Sequence, residues 1–341
     1  MDRMKPMRLA SNEATDIAAC RALLRDGSKS FHAASLLLPR AVREPATALY
    51  AFCRIADDAV DLVDAKHAAL ARLAHRLERV YAGTPLPMPA DRAFARVVAA
   101  HAIPRALPEA LLEGLLWDAE MRRYATLAEV EAYGARVAGA VGAMMALVMG
   151  VRDPVALARA TDLGIAMQLT NIARDVGEDA RANRLYLPLE WLRGAGIDAD
   201  AFLRAPVFDQ AIAGVTQRLL QRADVLYLRG GSGVALLPRG CRPAIGAARR
   251  IYAAIGAKVA AHGHDSISRR AVVPRGEKLR LIGASLLAAA MPARPADRSP
   301  PLEANRHLIE AVPYSWRRPQ GISAQIGWMM DIFARIEQPR A

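Results

Sequence analysis

The chain has 341 residues, 53% of them apolar and 23% charged, which supplies a sizeable core and excludes a disordered chain. Aromatics make up only 5% while alanine and leucine abound, a mix that favours helix over sheet. Forty-six Lys and Arg against 34 Asp and Glu leave a formal charge of +12, suited to an anionic partner: nucleic acid, a membrane surface or a phosphorylated substrate.

The first residues, MDRMKPMRLASNEATD, lack the apolar core of a signal peptide. Cys20, Cys53 and Cys241 are widely spaced and form no CxxC, so they fit a reducing cytosol better than a disulfide framework or a zinc knuckle. A cytoplasmic location is expected. The stretch ALYAFCRIADDAVDLVD (48–64) predicts a helix that is apolar nearly all round at Ala48–Cys53 and acidic at its end. Arg54, Asp57 and Asp61 fall on one face, Asp58 lies beside it and Asp64 follows one turn on. Ionised carboxylates beside a low-dielectric core need a cation; taken alone, a solvated acidic helix end accounts for this stretch equally simply.

Apolar positions then recur at three and four in ALARLAHRLERVY and LLEGLLWDAEMRRY. VAGAVGAMMALVMGV (137–151) is uncharged but too short to span a bilayer. Asp153-Pro154 reads as a cap followed by proline at the first helical position. In LGIAMQLTNIARDVGEDARANRLYLP (163–188), Gln168, Asn171, Asp175 and Asp179 form one polar stripe on a helix carrying Ile165, Leu169 and Ile172. Two aspartate pairs at i and i+4, each downstream of an apolar helix, can face each other across a bundle. Oxygen ligands on rigid helices suit Mg²⁺ with substrate phosphate oxygens. A di-iron bundle would need Glu-x-x-His, and none of the seven histidines has a Glu three residues before it.

Proline and glycine breaks punctuate the chain at helical intervals, and no strand alternation is visible. The expectation is a lead-in at 1–14, one all-α domain over 15–290, and a Pro/Arg-rich linker with a short helical tail over 291–341. In that tail, ISAQIGWMMDIFARIE has one broad apolar side, fit to dock on the bundle or to lie on a membrane surface.

DDAVD (57–61) and DVGED (175–179) resemble the two DxxxD motifs of the head-to-head prenyl synthases, the squalene, dehydrosqualene and phytoene synthases. ALYAFCRIADDAVD, LTNIARDVGEDARANRLYLP, EAYGARVAGAVG and FHAASLLLP extend the resemblance over about residues 20–285, most strongly to the bacterial phytoene-forming members. It implies the isoprenoid-synthase-type helical bundle around a central cavity. It also implies that Asp57, Asp61, Asp175 and Asp179 hold Mg²⁺ (Mn²⁺ being an alternative) against substrate diphosphate, beside Gln168 and Asn171. Ser28 and Ser30 match a diphosphate-binding motif that a His often precedes, a place taken here by Gly27. Arg54, Tyr252 and Arg270 match further diphosphate-pocket positions, with Arg269 a rival to Arg270. Tyr133 matches the tyrosine of a Tyr-Cys-Tyr-like stretch that reads Tyr133-Gly134-Ala135 here.

The activity so implied is condensation of two geranylgeranyl diphosphates through prephytoene diphosphate to a forty-carbon hydrocarbon, the entry to carotenoids, without NADPH. Tyr133, or diphosphate held by Arg54, would take the protons. Gly139, Ala140, Gly142 and Ala143 would leave room for a prenyl chain or serve tight helix packing, with Met144, Met145 and Met149 as a pliable wall. Peripheral contact with the inner membrane face and a downstream carotenoid desaturase are the expected partners. A squalene or dehydrosqualene synthase using farnesyl diphosphate is the near alternative. A basic helical nucleic-acid binder is the distant one, disfavoured because acidic stripes repel phosphate unless metal intervenes. No nucleic acid is expected.

Overall fold

A computed structural model describes residues 5–61, 66–292 and 295–314, with the side chains of 5–12, 29–30, 60–61 and 66 left out. Asp64 and the apolar tail at 322–337 lie outside the described residues. Among the described residues there is no strand. The helices in chain order are α1 (Lys5–Gly27), α2 (Lys29–Ser35), α3 (Arg40–Asp61), α4 (Lys66–Tyr81), α5 (Pro89–His101), α6 (Ala106–Ala119) and α7 (Leu127–Gly134). A π-helical turn (Ala135–Gly139) leads into α8 (Ala140–Val148) and the long α9 (Pro154–Arg181). Then come α10 (Leu189–Gly194), α11 (Ala199–Arg204), α12 (Gln210–Ser232), α13 (Arg242–Ala261), α14 (Arg275–Ala290) and α15 (Arg306–Glu310).

α9 is the axis of the bundle. The Asp153 carboxylate accepts from the Ala156 N–H at 2.9 Å and caps its first turn, with Pro154 in the place where no N–H is needed. The helix is buried on most of its circumference because α8, α12 and α13 all pack on it. Two glycines let the α9 backbone come close to that of α8 and the π-helical turn before it: a Cβ on Gly142 would come 2.4 Å from the Ala160 carbonyl oxygen, and one on Gly164 would come 2.4 Å from that of Ala138. Backbone-to-backbone contact of this kind explains the small residues in 137–151.

α3 splits its circumference between two tasks. Phe52 points into the core and stacks on Phe94 of α5, ring centroids 4.2 Å apart. Ala46, Leu49, Cys53 and Asp57, spaced by three and four, line a central cavity instead. The turn into α3 is held by Arg43, whose guanidinium donates to the carbonyls of Ser35, Leu36 and Leu38. Residues 295–314, read from the sequence as linker, lie against the bundle with Leu308, Ile309 and Val312 buried and Asn305 bonded to Thr161 and Asp162.

Candidate active site

A cavity of about 800 Å³ runs inside the bundle and joins a smaller polar chamber of about 240 Å³. The sequence of α9 grades from one to the other: Ala156, Ala160, Leu163 and Met167 line the apolar cavity, and Gln168, Asn171, Arg174 and Asp175 line the chamber. α3 grades the same way, from Ala46 to Asp57. Ala156 and Asp175 are about 28 Å apart along the helix at 1.5 Å per residue. Both helices therefore present C-terminal carboxylates to one chamber, where each helix dipole is itself negative. Only cations make that arrangement tenable.

Some of the cations belong to the protein. Arg270 donates to both Asp175 oxygens at 2.8 and 3.3 Å, and the neighbouring Arg174 does the same from the other side. Burial pushes Asp175 up, yet the hydrogen bonds from Arg174 and Arg270 hold it below the ordinary carboxylate range. Among the described residues Asp179 has no such clamp. Burial and the nearby Asp175 push it up to about 7, against the pull of Arg184. On α3, Arg54 lies 2.6 Å from Asp58 and 3.6 Å from Asp57, and the half-exposed Asp57 borders both the chamber and the cavity.

The remaining expected residues distribute as follows. Gln168 and Asn171 share a hydrogen bond of 3.4 Å in the chamber wall. Tyr133 borders chamber and cavity, while Tyr252 and Arg270 border the cavity. Arg269 turns away to Asp265 at 3.9 Å and is 60% exposed, so it is Arg270 that meets the acids. Ser28 lines the cavity and caps α2, its hydroxyl oxygen accepting from the Phe31 N–H at 3.2 Å. The side chains of Ser30 and Asp61 lie outside the description. At Gly27, where a histidine was the pattern, a Cβ would come 2.6 Å from the Tyr50 hydroxyl, which occupies that space. Ala135 packs in the core and lines neither chamber nor cavity, so the missing second tyrosine leaves no gap in the wall.

Two expectations are corrected by residue. Met145 and Met149 do line the cavity, but Met144 is fully buried in the core. Of the four small residues only Gly142 reaches the cavity; Gly139, Ala140 and Ala143 serve helix packing.

One group that the sequence reading passed over sits at the junction of chamber and cavity. Asp118, at the end of α6, accepts from the Tyr133 hydroxyl at 3.0 Å and the Tyr186 hydroxyl at 2.7 Å. Burial pushes its carboxyl up to about 6, although both phenols pull the other way. Burial and Asp118 together drive the Tyr133 phenol well above its usual value. The rings of Tyr133 and Tyr186 stack with centroids 5.1 Å apart. The signal in LLEGLLWD is the one that marked α3, an acid directly after a hydrocarbon run.

A hard cation fits the chamber. The Asn171 Oδ1 is a buried acceptor with no donor among the described residues, beside a set of carboxylate oxygens. Among the described residues no three His, Cys, Asp or Glu converge tightly enough to chelate an ion unaided.

The Squalene/phytoene synthase family pattern matches residues 24–277. The chain belongs to the squalene/phytoene synthase family. It is therefore a prenyltransferase. It is 54% identical to a phytoene synthase of Rhodobacter capsulatus, covering 94% of this chain and 96% of the relative. It is 56% identical to one of Cereibacter sphaeroides, covering 81% of each. Among solved structures, a dehydrosqualene synthase in complex with ligand superposes with a TM-score of 0.75 at 29% identity, covering 82% of this chain and 98% of that one. A squalene synthase from Alicyclobacillus acidocaldarius gives 0.68 at 26%, covering 74% and 95%. The helical fold is thus shared. No described helix is long and apolar enough to cross a membrane.

Proposed function

We propose that the chain is a phytoene synthase, condensing two geranylgeranyl diphosphates head to head through prephytoene diphosphate in the first committed step of carotenoid biosynthesis. The observation that carries this reading is a chamber of acids and guanidinium groups opening directly into an 800 Å³ apolar cavity. The 54% and 56% identity to relatives named phytoene synthase supports the forty-carbon product.

Asp57, Asp61, Asp175 and Asp179 would hold Mg²⁺, or Mn²⁺ in its place, which when bound supplies positive charge to the diphosphate oxygens. Arg174 and Arg270 already grip Asp175 and can turn their free N–H groups to a departing diphosphate. Ser28, Tyr252 and Arg54 offer further donors at the cavity edge, and Gln168 and Asn171 orient oxygens along the chamber. The first diphosphate leaves, and the double bond of the second substrate attacks the resulting allyl cation. Loss of a proton closes a cyclopropane. Departure of the second diphosphate lets the ring rearrange, and a second proton is lost. Two diphosphates and two protons are released with no electron added, so NADPH is not required.

The cavity wall of Leu163, Met145 and Met149 keeps water from the cations. For the protons, Tyr133 can accept at its oxygen as its own hydrogen passes to Asp118, 3.0 Å away. Diphosphate held by Arg54 is the alternative acceptor. The hydrocarbon product favours work at a membrane face, where a carotenoid desaturase would collect it. Purified protein given geranylgeranyl diphosphate and Mg²⁺ alone is expected to release a forty-carbon hydrocarbon. Product only from farnesyl diphosphate, or only with NADPH, would reassign the chain to squalene or dehydrosqualene synthesis.

A further inference from the structure

Five large apolar side chains between residues 272 and 291 are left in solvent: Val272, Leu279, Leu286, Leu287 and Met291, each 48–74% exposed. Isolated exposed leucines are ordinary, but a concentration of them in one short segment marks an interaction surface. On α14, Leu279, Leu286, Leu287 and Ala290 fall at i, i+7, i+8 and i+11, one stripe of the helix. The opposite face is fixed to the protein. Ser285 is buried there and accepts from Arg250 of α13 at 3.0 Å, and Glu277 meets Lys258 at 2.8 Å. The helix therefore cannot roll to hide its leucines.

The flanks and the position of the stripe indicate what covers it. Arg275 and Arg280 are exposed along its edges, the latter 77%. The one acid of α14, Glu277, meets Lys258 at 2.8 Å and Arg280 at 3.9 Å, which leaves Arg275 with no further acid on its own helix. A second copy of the chain placed on this face would bring the same excess of cations around an apolar seam, with Glu277 already shared. The row also begins at the active site: Val272 is two residues from Arg270, whose guanidinium holds Asp175 at the cavity.

We propose that the exposed face of α14 is the surface by which the protein lies on an anionic phospholipid bilayer, placing the cavity beside the lipid that holds its ligands. The last clause rests on reading those ligands as prenyl diphosphates and a hydrocarbon. Leu279, Leu286, Leu287 and Met291 enter the acyl boundary to a depth of about 5–10 Å, and Arg275 and Arg280 remain at the headgroup phosphates.

The test is flotation of the full chain with vesicles of phosphatidylcholine, with and without phosphatidylglycerol. Flotation is expected to be strong only with phosphatidylglycerol. The variant Leu279→Glu with Leu286→Glu and Leu287→Glu is expected to bind about tenfold more weakly or worse. Arg275→Gln with Arg280→Gln is expected to lose about fivefold per arginine, and only on the anionic vesicles. Both variants keep wild-type turnover of detergent-dispersed geranylgeranyl diphosphate, which reads the fold and the proposed activity separately from the surface. Wild-type protein that floats with neither vesicle overturns the proposal. So does a triple-Glu variant that floats like wild type, which would move the contact to another segment such as the tail. A triple-Glu variant that changes oligomeric state in sedimentation while flotation holds would assign the face to a second copy and also overturn it. Flotation of a wild-type protein that turns over no prenyl diphosphate sinks the functional reading and leaves the surface standing.

Discussion

α9 carries acids in two regions, and they are treated in opposite ways. Asp162, in its first half, is fully buried behind the cavity wall. It receives Arg159 at 3.0 Å, Arg229 at 3.1 Å and the Asn305 amide at 2.9 Å, while Asp297 adds a second acid 3.3 Å from Arg159. Every charge there has an opposite number from the protein itself. Asp175 and Asp179, two turns and more beyond the middle of the same helix, face a chamber instead. Asp175 is clamped by two arginines, but Asp179 is pushed up to about 7 by burial and by Asp175 itself. A buried charge cluster that closes on itself is architecture; one left short of positive charge and opening on a cavity is a place for a ligand. The formal composition of the two regions is nearly the same, so residue types alone do not separate them.

The sharpest way to break this comparison is to remove one acid from each region. Asp175→Asn is expected to lower turnover about 10³-fold, some 4 kcal/mol, by depriving the departing diphosphate of electrophilic help. Its melting temperature should stay near that of wild type, because the half-exposed Arg270 keeps Glu178 at 3.2 Å and Arg174 opens on the chamber. Asp162→Ala is expected to do the reverse. It strands Arg159 and Arg229 without their shared acid and costs about 3 kcal/mol in denaturant unfolding, while turnover of the protein that remains folded is retained. Equal effects of both variants on both measurements would erase the distinction.

Asp118 sharpens it further, since it is buried like Asp162 yet borders the chamber like Asp175. Its carboxyl is raised to about 6 when folded, against an ordinary value near 3.8. A raised acid binds more protons in the folded than in the unfolded state between those two values. Stability conferred by its protonation is therefore present at low pH and lost as pH rises from about 4 to about 6. Asp118→Asn should flatten that part of the stability-versus-pH curve, by about 3 kcal/mol at most. Unfolding free energies measured across this window decide it: an unchanged slope would show that Asp118 does not carry the titration.

Much of this arrangement was legible along the chain. The stripe Gln168, Asn171, Asp175, Asp179 and the run Arg54, Asp57, Asp61 were visible because helix geometry fixes which residues share a face at three and four. The apolar-to-polar grading of α3 and α9 follows from the same rule. What escaped were contacts made between segments far apart in sequence. Arg270 reaches Asp175 across 95 residues, and the Tyr186 hydroxyl reaches Asp118 across 68. Likewise, only packing could divide 137–151 between cavity wall and helix seam, since Gly142 and Met145 reach the cavity while Ala143 and Met144 do not.

By itself the sequence determined helical class, the polar faces of α3 and α9, and an excess of acid at two helix ends, all of which are local consequences of spacing and side-chain type. Only the tertiary structure decided which arginine neutralises which carboxylate, that Asp118 gathers two phenols, and which leucines stay in water on α14. Pairing in space depends on how helices cross and where loops return, and no pattern with a period of 3.6 residues encodes that.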